Sequence, residues 1–329
     1  MLNFSFSNAL MHIARTDAPR GFLPKFALSY LLAAILIGGL TLVIMRPLIE
    51  LYVGMFTAIG SGALDANDDA AVGQYMIDNI NGMTQTMGLA FLLLLPAMLA
   101  IWAIFEASIQ RHYIRQDTFR LRLGNDEWRL MAVGLVVYLL LFVVLFASMI
   151  PMGILVGIAT SSGDPNMAIL GVAVGYILMI AILLWYVVKI SAASALTIRD
   201  ERVRIFESFR VTKGRFWPIF FALLIIWIAF YILQTMIYGM GIFAVMAQFS
   251  ELLTGGADPE LAEVMAQLRA PGVVGTMAAF FALLTLSYGL SMILLAGPGA
   301  LAALNDPDLR YASGRSPPSS ERYLSRNRV

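Results

Sequence analysis

The chain has 329 residues, 60% of them hydrophobic and only 13% charged, with a net charge of +1 and a mean hydropathy of +0.80. Soluble domains carry about 25% charged residues, so the composition excludes an ordinary soluble domain and points to a polytopic membrane protein. With no cysteine at all, disulfides, thiolate metal sites and cysteine nucleophiles are excluded as well.

Residues 1–24 read as a short interfacial helix. Ser5, Asn8, His12 and Arg15 share one face, and Leu2, Phe6, Ala9 and Ile13 another. No cleavable signal peptide is expected, because the first apolar run starts beyond residue 24 and lacks a small-x-small site before Arg46. The first span is expected over about 26–45. An acidic segment with Asp65, Asp68 and Asp69 follows, read as a solvated loop, with Asn67 or Asp68 capping a helix toward Asn81. The second span covers about 84–106, with Pro96 near its middle.

Residues 110–129 are basic, and 118–123 alternate with period two, so no helix is expected there. Asn125 and Asp126 suit the cap of the third span, about 130–151 with an extension toward 159. A short turn leads into the fourth, about 167–190. Gly153 and Gly157 then lie at the same depth as Gly171 and Gly175, a small-xxx-small arrangement that permits close backbone contact. Glu106 and Lys189 end spans 2 and 4 at matched depth, which predicts an ion pair.

The connector over 186–218 mixes ten charges with apolar residues. On one helix over 198–209, Ile198, Ile205, Phe206 and Phe209 share a face. Arg202, Arg210, Lys213, Arg215 and Trp217 complete a basic, aromatic surface for lipid headgroups or a partner, and Gly214 suits the helix stop. The fifth span is expected over about 216–237, continuing toward 247, with Gln234 as interhelical glue. Asp258 and Pro259 should open a short helix, and the sixth span should run over 273–296 until Gly297-Pro298-Gly299 breaks it. The tail, 301–329, is rich in Ser, Pro and Arg and is expected to be disordered.

Alternation of six spans places twenty of the 22 basic residues on one side and leaves Arg46 and Arg269 on the other. By the positive-inside rule, both termini are cytoplasmic. The expected fold is an all-α, six-span membrane bundle, built as three parallel-repeat hairpins with interfacial amphipathic helices. Its parts are the N-terminal helix (1–24), the membrane domain (25–300) and the tail (301–329).

Two pieces, RLRLGNDEWRLMAVGLVVYLLL (120–141) and ALTIRDERVRIFESFRVTKGRFWPIF (195–220), resemble a group of uncharacterised six-span membrane proteins frequent in alphaproteobacteria. That group is similar to the membrane domain attached to some glycerophosphoryl diester phosphodiesterases. The resemblance is most specific over Glu207 to Trp217 and implies a bacterial inner-membrane protein. The phosphodiesterase catalytic domain has no counterpart here, so no catalytic residue follows from it.

No H-E-x-x-H, G-x-S-x-G or P-loop motif occurs, and only two histidines exist. The chain therefore reads as non-enzymatic, with no cofactor, metal or nucleic-acid partner. The expected role is a scaffold or accessory subunit that engages membrane lipids, a partner protein or a second copy through its basic connectors. The alternative is a transporter or channel for an uncharged or lipid-like substrate.

Overall fold

A computed structural model of the protein describes residues 4–16, 21–65, 68–78, 80–161, 163–250 and 261–306. Every regular element among them is a helix: α1 Phe6–Leu10, α2 His12–Arg15, α3 Phe22–Gly60, α4 Asp69–Asp78, α5 Ile80–Arg115, α6 Asn125–Ser161, α7 Pro165–Ile190, α8 Ala193–Asp200, α9 Glu207–Val211, α10 Phe216–Gln248, α11 Leu261–Leu268 and α12 Pro271–Leu304. Six helical stretches are long and apolar enough to cross a membrane, namely α3, most of α5, α6, α7 continued by α8, α10 and α12. The protein is an all-α, multi-pass membrane protein. At 1.5 Å per residue the 39 residues of α3 extend about 58 Å, against a hydrocarbon core of about 30 Å. The helices thus run well beyond the spans that hydropathy alone marks out.

Local signals account for several helix starts. The Asp68 carboxylate accepts from the backbone N–H groups of Ala70 and Ala71 at 3.0 Å, capping α4 as expected. Asp164 accepts from the Asn166 N–H at 2.9 Å, with Pro165 in the first turn of α7. Gly214 stands at φ +79° just before α10, a backbone region that glycine enters without steric cost. The cap expected at Asp258 and Pro259, and the chain beyond residue 306, lie outside the described residues.

The helices group into two compact units. The first comprises the described residues of Met1–Leu23, Trp102–Ala229 and Leu290–Val329. Its core joins Ala103 and Ala107 of α5, Leu130 and Val133 of α6, Ala193 and Ile198 of α8, and Ile205. A second apolar contact seats Ala9 of α1 on Ala222 of α10 and Leu301 of α12. The second unit comprises the described residues of Pro24–Ile101 and Phe230–Gly289. There the antiparallel pair α10 and α12 is tied by hydrogen bonds: Gln234 Nε2 donates to Ser287 Oγ at 2.7 Å, and Gln248 Nε2 donates to Thr276 Oγ1 at 2.7 Å. Gln234 is the interhelical link its position in the span predicts.

Five expectations about the helices and their limits are corrected by the structure. The N-terminal segment is two short helices rather than one, and it turns His12, from its polar face, inward. The proposed helix over 198–209 is interrupted, because Glu201 closes α8 in the left-handed region at φ 54° and the chain is irregular until α9. Gly297-Pro298-Gly299 does not break α12, which runs on to Leu304. An interior proline costs a helix about 3 kcal/mol, and here it is offset by tertiary burial, since Ala300, Leu301, Ala302 and Ala303 are wholly enclosed. Residues 301–306 therefore belong to the folded unit, with Asp306 buried, rather than to a tail.

The fifth correction concerns the α6–α7 hairpin. Gly171 and Gly175 do sit in its interface, where a Cβ would meet Ala159 and Leu155, or Met152. Their opposite numbers are those three residues, spaced i, i+3, i+7 on α6, and not Gly153 and Gly157, which face open space. Tyr186 completes this hairpin by donating its hydroxyl proton to the Val137 carbonyl at 2.7 Å.

Candidate functional site

The richest chemistry lies in the first unit, where the ends of α5, α8 and α12 meet the connectors. After Arg115 the chain turns through Gln116 at φ 56° and stays non-helical until α6. The first turn of α6 then presents two buried acids, Asp126 and Glu127. An acid there is favoured by the exposed N–H groups of a helix start, and Glu127 Oε2 accepts from the Gly124 N–H at 2.9 Å. Glu127, at 0% exposure, also pairs with Arg111 at 2.5 Å. Asp126 accepts from Arg115 at 2.9 Å and from Arg122 and Arg129, both at 3.2 Å, with Arg111 at 3.6 Å. Four arginines, two from α5, one from the connector and one from α6, thus converge on two carboxylates.

Arginines also cap helix ends across the unit. Arg115 donates to the Ile198 carbonyl at the end of α8 and reaches Glu201 at 3.3 Å. Arg199 donates to the Ala303 carbonyl at the end of α12 and pairs with Asp200 and Asp306. Arg215 donates to the carbonyls of Ala302 and Asn305. Each guanidinium occupies the negative pole of a helix, where the last carbonyls lack intrahelical partners.

The long connector is fixed from within. Ser208 donates to the Lys189 carbonyl at 2.7 Å and accepts from the Ala192 N–H at 3.1 Å. Thr197 accepts from the Arg204 N–H at 3.1 Å, and Arg204 pairs with Glu207 at 2.8 Å. Desolvation disfavours the Glu207 carboxylate, but the Arg204 hydrogen bond and charge, with Arg210 nearby, outweigh it and hold that carboxyl below its usual range.

These contacts divide the predicted surface. Ile198 and Ile205 are buried in the core and cannot face a membrane or partner. Phe209 is half-buried, edge-on to Trp185. Arg215 is half-buried and engaged with α12, while Arg210 is exposed and lies 3.8 Å from Asp306. Four residues of the connector face outward and make no ion pair among the described residues: Arg202, Phe206 at 68% exposure, Lys213 and Trp217 at 63%. The shorter connector adds Arg120, Leu121, Leu123 and Trp128, all exposed.

The expected Glu106–Lys189 ion pair does not form among the described residues. Glu106 is buried and instead accepts from Gln110 Nε2 at 2.8 Å. Sequence reasoning also passed over the acids at the centre of the arginine cluster, reading Asp126 only as a cap. The signal was present, as two acids follow four arginines within a short basic segment. Among the described residues, no three His, Asp or Glu side chains converge to hold a metal ion.

Comparison of the chain with protein-family models, with curated proteins and with solved structures returns no match in any of the three.

Proposed function

We propose that the protein is a non-enzymatic scaffold or accessory subunit of a bacterial inner membrane, with both termini cytoplasmic. It engages lipid headgroups or a partner through its basic connectors. One observation carries this reading: a connector locked inward by Ser208, Arg204 and Ile205 turns Arg202, Phe206, Lys213 and Trp217 outward. Exposed aromatics beside exposed cations suit the headgroup layer, where an aromatic ring stays amphipathic and a cation meets phosphate. The resemblance of residues 207–217 to the six-span alphaproteobacterial group supports the same membrane, and the one-sided distribution of basic residues supports the orientation.

The test is purification in mild detergent of the natural chain and of a variant carrying Arg202→Gln, Phe206→Ser, Lys213→Gln and Trp217→Ser. Anionic phospholipid or a co-purifying protein should fall several-fold in the variant while Tm holds. An identical lipid and protein profile overturns the reading. Orientation is checked by single cysteines at Arg120 and Lys213, which should label only from the cytoplasmic side.

A second reading, transport of an uncharged or lipid-like substrate, has one observation in its favour. Gln234 Oε1 is buried without a hydrogen-bond partner among the described residues, an acceptor within an apolar helix that a substrate hydroxyl could satisfy. Gln234→Leu would abolish flux in that case and leave a scaffold's partners unchanged.

A further inference from the structure

His12 is the most anomalous group in the first unit. It is 3% exposed, and neither ring nitrogen has a hydrogen-bond partner among the described residues. Buried polar groups are nearly always paired, because an unpaired one loses its water and gains nothing in return. The ring lies flat on Tyr113 of α5, with centroids 4.9 Å apart and planes 19° off parallel. The Tyr113 hydroxyl cannot serve it as a donor, since it donates to the Ile293 carbonyl at 2.9 Å. From α12, Gly297 approaches closely enough that a Cβ there would touch the His12 Cβ at 3.4 Å.

The titratable neighbours of His12 offer no compensation for a positive charge. From α5 it faces Tyr113 and His112, and His112 is its one electrostatic neighbour among the described residues. His112 is itself covered by Phe22 and lies near the Asp117 carbonyl. The remaining seat of the arm is apolar or already cationic: Ala9 rests on Ala222 and Leu301, and the Arg215 guanidinium stands over the Phe4 ring at 5.2 Å. No acidic side chain pairs with His12 among the described residues.

We propose that α1–α2 form an acid-released arm, seated on α5, α10 and α12 while His12 is neutral and unseated when His12 takes up a proton. An imidazolium in that position would be desolvated, without an acceptor for either N–H, and beside a second histidine. Unseating restores its hydration. It also withdraws Phe4 from Arg215 and uncovers Ala222 and Leu301, so acidification would open a surface on this unit.

The sign and size follow from linkage. Burial, with a smaller contribution from His112, lowers the His12 pKa to about 4 in the seated arm, against about 6.5 in water. The proton therefore binds the unseated arm more tightly. Between pH 8 and pH 5 the opening constant rises by about 30-fold.

The test uses the full chain in nanodiscs of phosphatidylcholine. Amide hydrogen exchange over residues 6–15, corrected for intrinsic rates, should lose about 30-fold of its protection between pH 8 and pH 5. His12→Phe, which keeps a flat ring against Tyr113 but cannot be protonated, should hold its protection at both values. If protection in the natural chain is the same at both pH values, or if His12→Phe retains the pH dependence, the proposal is overturned. Should His12→Phe fail to accumulate, the cysteine-free chain allows a second measurement. The thiol labelling rate of Ala9→Cys, divided by that of the exposed Ser5→Cys to cancel thiol ionisation, should rise by the same factor, and a flat ratio rejects the idea.

Discussion

Glu127 and Arg111 are both almost wholly enclosed, 2.5 Å apart. Such a pair adds little over a hydrophobic replacement, yet removing one member strands the other charge. Arg111 keeps Asp126 at 3.6 Å and the Arg120 carbonyl at 3.2 Å, so Glu127→Gln should lower the unfolding free energy in detergent by about 1–3 kcal/mol, and adding Arg111→Met should restore part of the loss. Gly299 carries a different constraint, since a Cβ there would run into the Ser191 carbonyl oxygen, which is backbone and cannot rotate away. Gly299→Ala should cost about 1–3 kcal/mol, read as a lowered Tm, while Gly153→Ala, facing open space, should be near neutral. Neither position is conspicuous in the sequence. Gly299 reads there as half of a helix break, and Glu127 as one more acid at a helix start.

Helix α6 shows why some positions were legible and others not. It is apolar around its whole circumference, so no polar stripe sets its rotational phase. The spacing of small residues located the α6–α7 contact correctly on α7, at Gly171 and Gly175, but could not tell which side of α6 meets them. A leucine at Gly171 should therefore disrupt the hairpin and lower Tm by several degrees, whereas a leucine at Gly157 should leave it within about 0.5 kcal/mol of the natural chain. The long connector failed as a single helix for a related reason. Its apolar residues repeat with helical spacing, but Ile198 and Ile205 reach the same core from α8 and from the irregular chain after Glu201. Periodicity reports that residues share an environment, and a turn in the chain can achieve that as well as a continuous helix.

For the molecule as a whole, acid should weaken the fold. His12 has a lowered pKa when folded, so its contribution to stability is full above about pH 6.5 and declines as pH falls toward about 4, the loss being bounded by the free energy that seats the arm. Glu207 works in the same direction at lower pH, because its ionised form is favoured in the folded state and is lost on protonation. Tm followed from pH 8 to pH 4 should fall, and His12→Phe should flatten the upper part of that curve. A Tm that rises on acidification would show that buried carboxylates, rather than these two groups, govern the response.

Hydropathy and charge balance suffice to establish six long helices, their approximate limits and the uneven placement of basic residues, because the membrane acts on each apolar stretch separately and needs no knowledge of neighbours. Which arginine meets which acid, that Asp306 is a buried partner and not part of a tail, that a histidine from the polar face of α1–α2 lies against Tyr113, and that α12 survives its proline all depend on atoms distant in the chain. Those outcomes are set by close packing and by the need of each buried polar group for a partner, and both are properties of the assembled helices.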